Sequence, residues 1–346
     1  MAARPRLQIV LVGAGHVGRR LLTLLAEIGD CLPFDWSLVG VCSRTRGGWL
    51  DAAGIDPRRP DGPPAAAALA GDGAAFLAAA LPALAAACRE GRVVVVETTV
   101  LDAARGEPAT THVRLALDGG AHVVTANKGP AAFAWADLAA RAEAAGRAFF
   151  FESAVMDGVP VFSLVADTLP ALRITAFRGV LNTTCGYVLA AIERGETFAA
   201  ALAEMQRQGI AEADPSLDID GWDAAAKAAV LANVLFDARV TPHQVERQGI
   251  RGLDRDVLSR GAGGSRRLRL VAEGRRDGES VTVRVAPLWL DAADPLAQVS
   301  GLENALYLAT DHLGEIGIVQ RDGGLTQTAY GLLADLCRVS RRLPRA

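Results

Sequence analysis

Leu7-Gln-Ile-Val-Leu-Val12 is an almost unbroken apolar run, followed at once by Gly13-Ala-Gly15-His-Val-Gly18 and an amphipathic stretch to Ile28. A short strand with no polar face needs cover on both sides, which points to a parallel sheet flanked by helices. The glycine spacing gains meaning from lying between strand and helix. Gly13 permits a tight turn, Gly15 lets a pyrophosphate approach the backbone, and Gly18 lets the helix pack on the strand. The helix start adds N–H donors and the positive end of its dipole. Gly13, Gly15, His16, Val17 and Gly18 are therefore the expected dinucleotide-binding residues.

The same alternation continues to about residue 155. Residues 36–42 read as the second strand, ending in Ser43-Arg44-Thr45-Arg46. An NAD-preferring site would place an acid here for the ribose 2′-hydroxyl. Ser43, Arg44 and Arg46 suit a 2′-phosphate instead, so NADP(H) is favoured over NAD(H). Residues 51–75, rich in Ala, Pro, Gly and Asp, read as an irregular surface crossover. Helices are expected over 74–88, 108–119 and 137–145, and strands over 93–99, 121–125 and 147–152. The expected class is α/β, with a doubly wound parallel sheet of the Rossmann type over residues 1–155. Ligands in such sheets bind beyond the strands' carboxyl ends, which places Thr98 and Lys128 beside the cofactor.

Beyond Gly158-Val-Pro160 the pattern changes. Residues 174–182 are strand-like, 183–186 break the strand, and 187–193 are helical. Alternating runs follow at 267–273, 281–290, 306–310 and 316–320, predicting an antiparallel or mixed sheet with one covered face. Residues 156–322 are thus expected to form a second, α+β domain. A last helix within 323–346 is expected to pack back on the first domain.

One stretch of the second half carries most of the chemistry. Gly209-Ile-Ala-Glu212-Ala-Asp214 leads through Asp218, Asp220 and Asp223 to Lys227. Of 36 basic residues only Lys128 and Lys227 are lysines. Arginine stays charged, so a position that must give up a proton needs lysine. Asp220 reads as a helix N-cap with Asp223 completing a capping box. Asp223 and Lys227 then fall at i and i+4 on one face of a largely apolar helix. Buried carboxylates need charged partners, and a ligand amino group would serve.

Composition narrows the field further. A net charge of −3 gives no footprint for nucleic acid. Five scattered cysteines without Cys-x-x-Cys spacing suit free thiols in a reducing cytoplasm. No apolar run approaches the length of a membrane span.

These segments together resemble the homoserine dehydrogenases. The match is carried by Gly13-Ala-Gly-His-Val-Gly18, His122-Val-Val-Thr-Ala-Asn-Lys128, Glu152-Ser-Ala-Val with Gly158-Val-Pro160, and Arg178-Gly-Val-Leu-Asn-Thr-Thr-Cys-Gly-Tyr187. Gly209-Ile-Ala-Glu-Ala-Asp-Pro through Lys227 and Gly301-Leu-Glu-Asn-Ala305 with Thr310-Asp-His-Leu-Gly-Glu315 complete it. The resemblance implies reversible NAD(P)H-dependent reduction of aspartate 4-semialdehyde to homoserine, on the route to threonine, methionine and isoleucine. It implies that Lys227 gives the proton and Lys128 orients and polarises the substrate, although either lysine remains open as the donor. Glu212, Asp218, Asp223, Thr184 and Gly209 are implied to bind substrate, and Thr98, Lys128 and Gly324 to lie at the cofactor. Glu152, with carbonyls of Val155, Asp157 and Val159, is implied to hold a monovalent cation, Na+ or K+. A homodimer through the second domain's sheet, and a short form without a regulatory domain, are also implied.

Three positions depart from the family pattern. Thr184-Cys185-Gly186-Tyr187 replaces the usual Thr-Thr-Asn-Tyr, Asp157 adds a carboxylate to the cation loop, and the late glycine-rich loop shrinks to Asp322-Gly323-Gly324. A related dehydrogenase acting on another amino-acid semialdehyde or oxo acid is the alternative reading.

Overall fold

The structure, a computed structural model, describes residues 4–60, 72–87, 91–207, 214–253 and 266–343. The chain divides into two compact units, Met1–Ser163 with Gly324–Ala346, and Leu164–Gly323.

The first unit begins with β1 (Arg6–Val12), α1 (His16–Ile28), β2 (Asp35–Ser43), β3 (Gly47–Ile55) and α2 (Gly73–Ala87). It continues through β4 (Val93–Glu97), α3 (Ala109–Asp118), β5 (His122–Thr125), α4 (Gly129–Ala144), β6 (Phe149–Phe150) and α5 (Ser153–Met156). The sheet order is β3-β2-β1-β4-β5-β6, parallel except for β3. Every residue of β4 is buried, as a strand covered on both faces requires.

Two elements differ from the sequence reading. Residues 47–55, whose latter half was assigned to a crossover, form β3, an edge strand antiparallel to β2. Its glycines and alanines hide the strand signal. They are needed because Phe76 of α2 packs over the pair: a Cβ on Gly48 would lie 2.4 Å from the Phe76 ring. Helix α4 starts at Gly129, immediately after Lys128, and not at residue 137. Pro130 sits in its first turn, where a missing N–H costs nothing.

The second unit contains β7 (Ile174–Val180), α6 (Thr183–Glu193), α7 (Phe198–Arg207), α8 (Ser216–Ile219) and α9 (Trp222–Phe236). Then follow β8 (Glu246–Arg247), β9 (Arg266–Asp277), β10 (Ser280–Asp291), β11 (Asn304–Thr310) and β12 (Glu315–Gln320). Its sheet runs β12-β11-β7-β9-β10-β8, antiparallel apart from the short β8–β10 pair, so the expected mixed sheet is present. Helices α6 and α9 lie against β9, and Phe177 of β7 stacks on Phe236 of α9 at 5.6 Å.

Helix α6 begins at Thr183, four residues before the expected start, because Asn182 caps it by accepting the Cys185 N–H at 2.9 Å. The expected Asp220 cap is not formed. Gly221, at φ +80, precedes α9, and the Asp220 carboxylate is taken by Arg251 at 2.6 and 2.9 Å.

A last helix, α10 (Leu325–Arg342), returns to the first unit. Leu332, Leu336 and Val339 join Leu21, Leu22 and Leu25 of α1 in one core.

Candidate active site

The three glycines of the first turn have three different surroundings. Gly13 lies at φ +99, and a Cβ there would sit 2.6 Å from the Thr98 carbonyl carbon. Around Gly15 an added Cβ would meet nothing within 4 Å, which leaves that backbone open to an approaching phosphate. At Gly18 a Cβ would lie 2.8 Å from the Gly13 oxygen, so helix and strand touch there. No side chain caps α1 and no acid occupies its first turn, so its dipole end is not offset locally. Gly15 and His16 are exposed and Val17 half-buried. Thr98 donates its hydroxyl to the Gly13 carbonyl at 2.6 Å and its N–H to Val12 at 2.8 Å, locking the loop after β4 to the glycine turn.

Ser43 ends β2, and Arg44, Thr45 and Arg46 form the exposed turn into β3. The Ser43 hydroxyl accepts the Arg46 N–H at 3.3 Å. No carboxylate occurs between residues 43 and 50.

Behind the carboxyl edge of the sheet lies a buried polar network absent from the expected site. Glu97 is fully buried, and its carboxylate accepts from the Thr99 N–H and hydroxyl and from the Thr125 hydroxyl. The His112 Nδ1 lies 3.4 Å from the same carboxylate. Thr125 in turn accepts the Asn127 N–H at 2.9 Å. The Asn127 side chain donates to the Thr99 carbonyl and accepts the Gly129 N–H at 2.8 Å. Lys128, the N-cap residue of α4, is thereby held through both of its neighbours. The only sequence signal for this was the polar end of an otherwise apolar strand.

Glu152 and Asp157 of the expected cation loop both accept hydrogen bonds from the chain. The Glu152 carboxylate accepts backbone N–H groups of Val161, Phe162 and Ser163 at 2.6, 2.8 and 2.8 Å. Asp157 accepts the Gly324 N–H at 3.2 Å and the Thr328 hydroxyl at 2.9 Å. Both carboxylates thus act first as clamps on the chain. Gly324, at φ +150, is the N-cap residue of α10. Val155 is buried within α5, and Val159 follows in the succeeding turn.

In the second unit, α6, α8 and α9 bring Thr184, Asp218, Asp223 and Lys227 together around Asn182. The Asn182 amide nitrogen donates to Asp218 at 2.7 Å and to Asp223 at 3.0 Å. Lys227 donates to the Leu181 carbonyl at 2.5 Å and lies 3.2 Å from Asp223, the expected i,i+4 pair. Burial raises the Asp218 carboxyl above the ordinary range and Asp223 adds to this, while hydrogen bonds from Asn182 and Thr184 and the Lys227 charge oppose it. Cys185 is completely buried, which lifts its thiol far above the usual range, and it donates to the Asp218 carbonyl at 3.2 Å. Gly209 and Glu212 lie outside the described residues. Asn182 is not among the expected site residues, although an Asn-Thr-Thr run at a strand's end is a capping signal.

No helix among the described residues is long and apolar enough to cross a membrane.

A family model described as homoserine dehydrogenase matches residues 160–337, and one described as homoserine dehydrogenase, NAD binding domain, matches residues 13–152. The chain is 35% identical over 347 residues to a protein of Pseudomonas canavaninivorans named NAD(+)-dependent homoserine dehydrogenase, covering 98% of this chain and 97% of that one. It is 36% identical over 248 residues to the homoserine dehydrogenase of Sulfurisphaera tokodaii, covering 72% and 77%. Among solved structures, a homoserine dehydrogenase from Thiobacillus denitrificans superposes with a TM-score of 0.81 at 26% identity, over 99% of this chain and 74% of that one. A hyperthermophilic archaeal homoserine dehydrogenase in complex with NADPH gives 0.79 at 26% identity, over 98% and 99%.

Proposed function

The chain belongs to the homoserine dehydrogenase family, and on that premise we propose that Lys227 is its proton donor and acceptor. The family reaction is the NAD(P)-dependent interconversion of aspartate 4-semialdehyde and homoserine, a step of amino-acid biosynthesis. The observation that carries the assignment is the anchoring of Lys227. Its ammonium has three N–H bonds; among the described residues one goes to the Leu181 carbonyl, and the charge is paired with Asp223 at 3.2 Å. That leaves N–H donor capacity for a substrate oxygen.

When bound, a reduced nicotinamide would supply the hydride, and its oxidised form would accept one in the reverse direction. As the aldehyde carbon gains hydride, its oxygen becomes an alkoxide. An ammonium stabilises that charge and then transfers a proton to it. In the reverse direction the neutral amine takes the hydroxyl proton as hydride leaves carbon. Lys128 polarises the aldehyde in this scheme. Asp218 and Asp223, with Glu212, bind the substrate's ammonium group, and Thr184 supports Asp218.

For the cofactor, Gly13, Gly15, His16, Val17, Gly18 and Thr98 would hold the pyrophosphate side and Gly324 would line the site. NADP(H) is favoured because the exposed turn after β2 offers Ser43, Arg44 and Arg46 and no acid. The relative named NAD(+)-dependent favours NAD(H) as the second reading. A monovalent cation would use the one acceptor position that three N–H groups leave on Glu152, with carbonyls of Val155, Asp157 and Val159. Turnover indifferent to exchange of Na+ or K+ for a large organic cation overturns that part. A homodimer through the second unit's sheet and a cytoplasmic location complete the reading, the first checked by sedimentation equilibrium.

The deciding experiment is homoserine oxidation by the purified protein with NADP+ and with NAD+. Lys227→Met should lower turnover by about 10²- to 10⁴-fold and still bind cofactor. Wild-type turnover in that variant would refute the assignment.

A further inference from the structure

We propose that Asn182 is a positioning residue for the substrate's charged end, holding Asp218 and Asp223 together as one acceptor for an ammonium group. This rests on the reading of those two acids as substrate-binding.

The orientation of the Asn182 amide is fixed by its partners. The Cys185 backbone N–H at 2.9 Å is a donor, so the group facing it must be the oxygen. The nitrogen is left facing the two carboxylates, with one N–H for each, at 2.7 Å to Asp218 and 3.0 Å to Asp223. Asn182 is 4% exposed, and both ends of its amide are in use. One planar NH2 group with its hydrogens about 120° apart sets the two acceptor oxygens roughly 5 Å from each other.

Two half-buried carboxylates at that spacing repel and favour protonation of one of them. The neutral amide offsets this without consuming the charge, so the pair keeps lone pairs and net negative charge for a cation. Arginine or lysine in its place would neutralise the acids and compete with the substrate's own ammonium. Asp218 comes from α8 and Asp223 from α9, and a polar side chain at the end of β7 joins them across 36 and 41 residues of sequence. Among the described residues, the other titratable groups at the cluster are Lys227, ion-paired with Asp223, and the buried Cys185 thiol. Asp220 is nearby and paired with Arg251.

Asn182→Ser separates this role from helix capping, because serine also caps well but its hydroxyl is too short to bridge both acids. The expected result is a homoserine KM about tenfold higher, or about 1.4 kcal/mol, with cofactor KM and Tm near the wild-type values. The acidic limb of kcat/KM for homoserine should move to higher pH, because Asp218 loses a hydrogen bond that favours its charged form. An unchanged homoserine KM overturns the inference, as does a parallel loss of both KM values and Tm. Should that variant not fold, Asn182→Asp keeps size and cap and replaces the donor by a third carboxylate. Its homoserine KM should rise further, and a wild-type value overturns the inference. Asp218→Asn is measured alongside. If it leaves homoserine KM unchanged, the reading of the substrate acids falls and takes the inference with it. If Asp218→Asn raises KM and Asn182→Ser does not, only the inference falls.

Discussion

The Lys227 ammonium sits 3.2 Å from the Asp223 carboxylate, one turn along the same helix, with both side chains 15% exposed. A lysine held this way is fixed in place and can still give up a proton, which arginine in the same position would not. Lys227→Arg should therefore lower kcat as severely as Lys227→Met, by about 10²- to 10⁴-fold. Steady-state kinetics of the two variants check this. A Lys227→Arg enzyme with most of its rate would mean that charge alone is needed.

Cofactor choice is expected to turn on Arg44. Arg44→Ala should raise the NADPH KM about tenfold, from loss of one charge-assisted contact of roughly 1.5 kcal/mol, and leave the NADH KM within twofold. Equal effects on both cofactors would remove Arg44 as a 2′-phosphate ligand.

The glycine turn gives a paired test of stability against binding. At Gly13, with φ +99 and Thr98 backbone 2.6 Å from an added Cβ, alanine should destabilise the protein by more than about 1 kcal/mol. Gly15→Ala meets no neighbour within 4 Å, so its Tm should be unchanged while cofactor affinity falls. Thermal melts and a cofactor titration by fluorescence separate the two. Undiminished cofactor binding by Gly15→Ala would show that no phosphate approaches there.

Asp335 should impose a pH dependence on stability. It is fully buried in α10, and burial pushes its carboxyl up to about 7; the Glu152 charge adds to this, and the Glu152 N–H and Arg338 oppose it. With the folded value above the unfolded one, its favourable contribution is complete below about pH 4 and is lost as pH rises through about 7. The slope in that window is at most about 1.4 kcal/mol per pH unit. Asp335→Asn should therefore gain stability relative to the wild type between pH 5 and 8. Parallel Tm curves for the two proteins would contradict this.

Much of the architecture could be read from sequence because it is written in local periodicity. The apolar runs of β1 and β4 and the glycine turn at residues 13–18 are contiguous patterns. So is the i,i+4 spacing of Asp223 and Lys227. Boundaries failed where a residue's effect depends on position within an element. Gly129-Pro130 looks like a break and is the start of α4, and Thr183 to Gly186 looked like a break and is the first turn of α6.

The sequence by itself determined the doubly wound sheet, the mixed sheet of the second unit and the family to which the chain belongs. Tertiary structure alone decided that β3 exists, since its pairing comes from β2 and from Phe76 packing over Gly48. It decided that Glu152 clamps the chain at residues 161–163. It also decided that Asn182 joins Asp218 to Asp223. Each of these depends on a partner distant in sequence or on the direction of a hydrogen bond. Periodicity reports which face of an element is buried; it carries no record of what that face, or a polar side chain at its end, will meet.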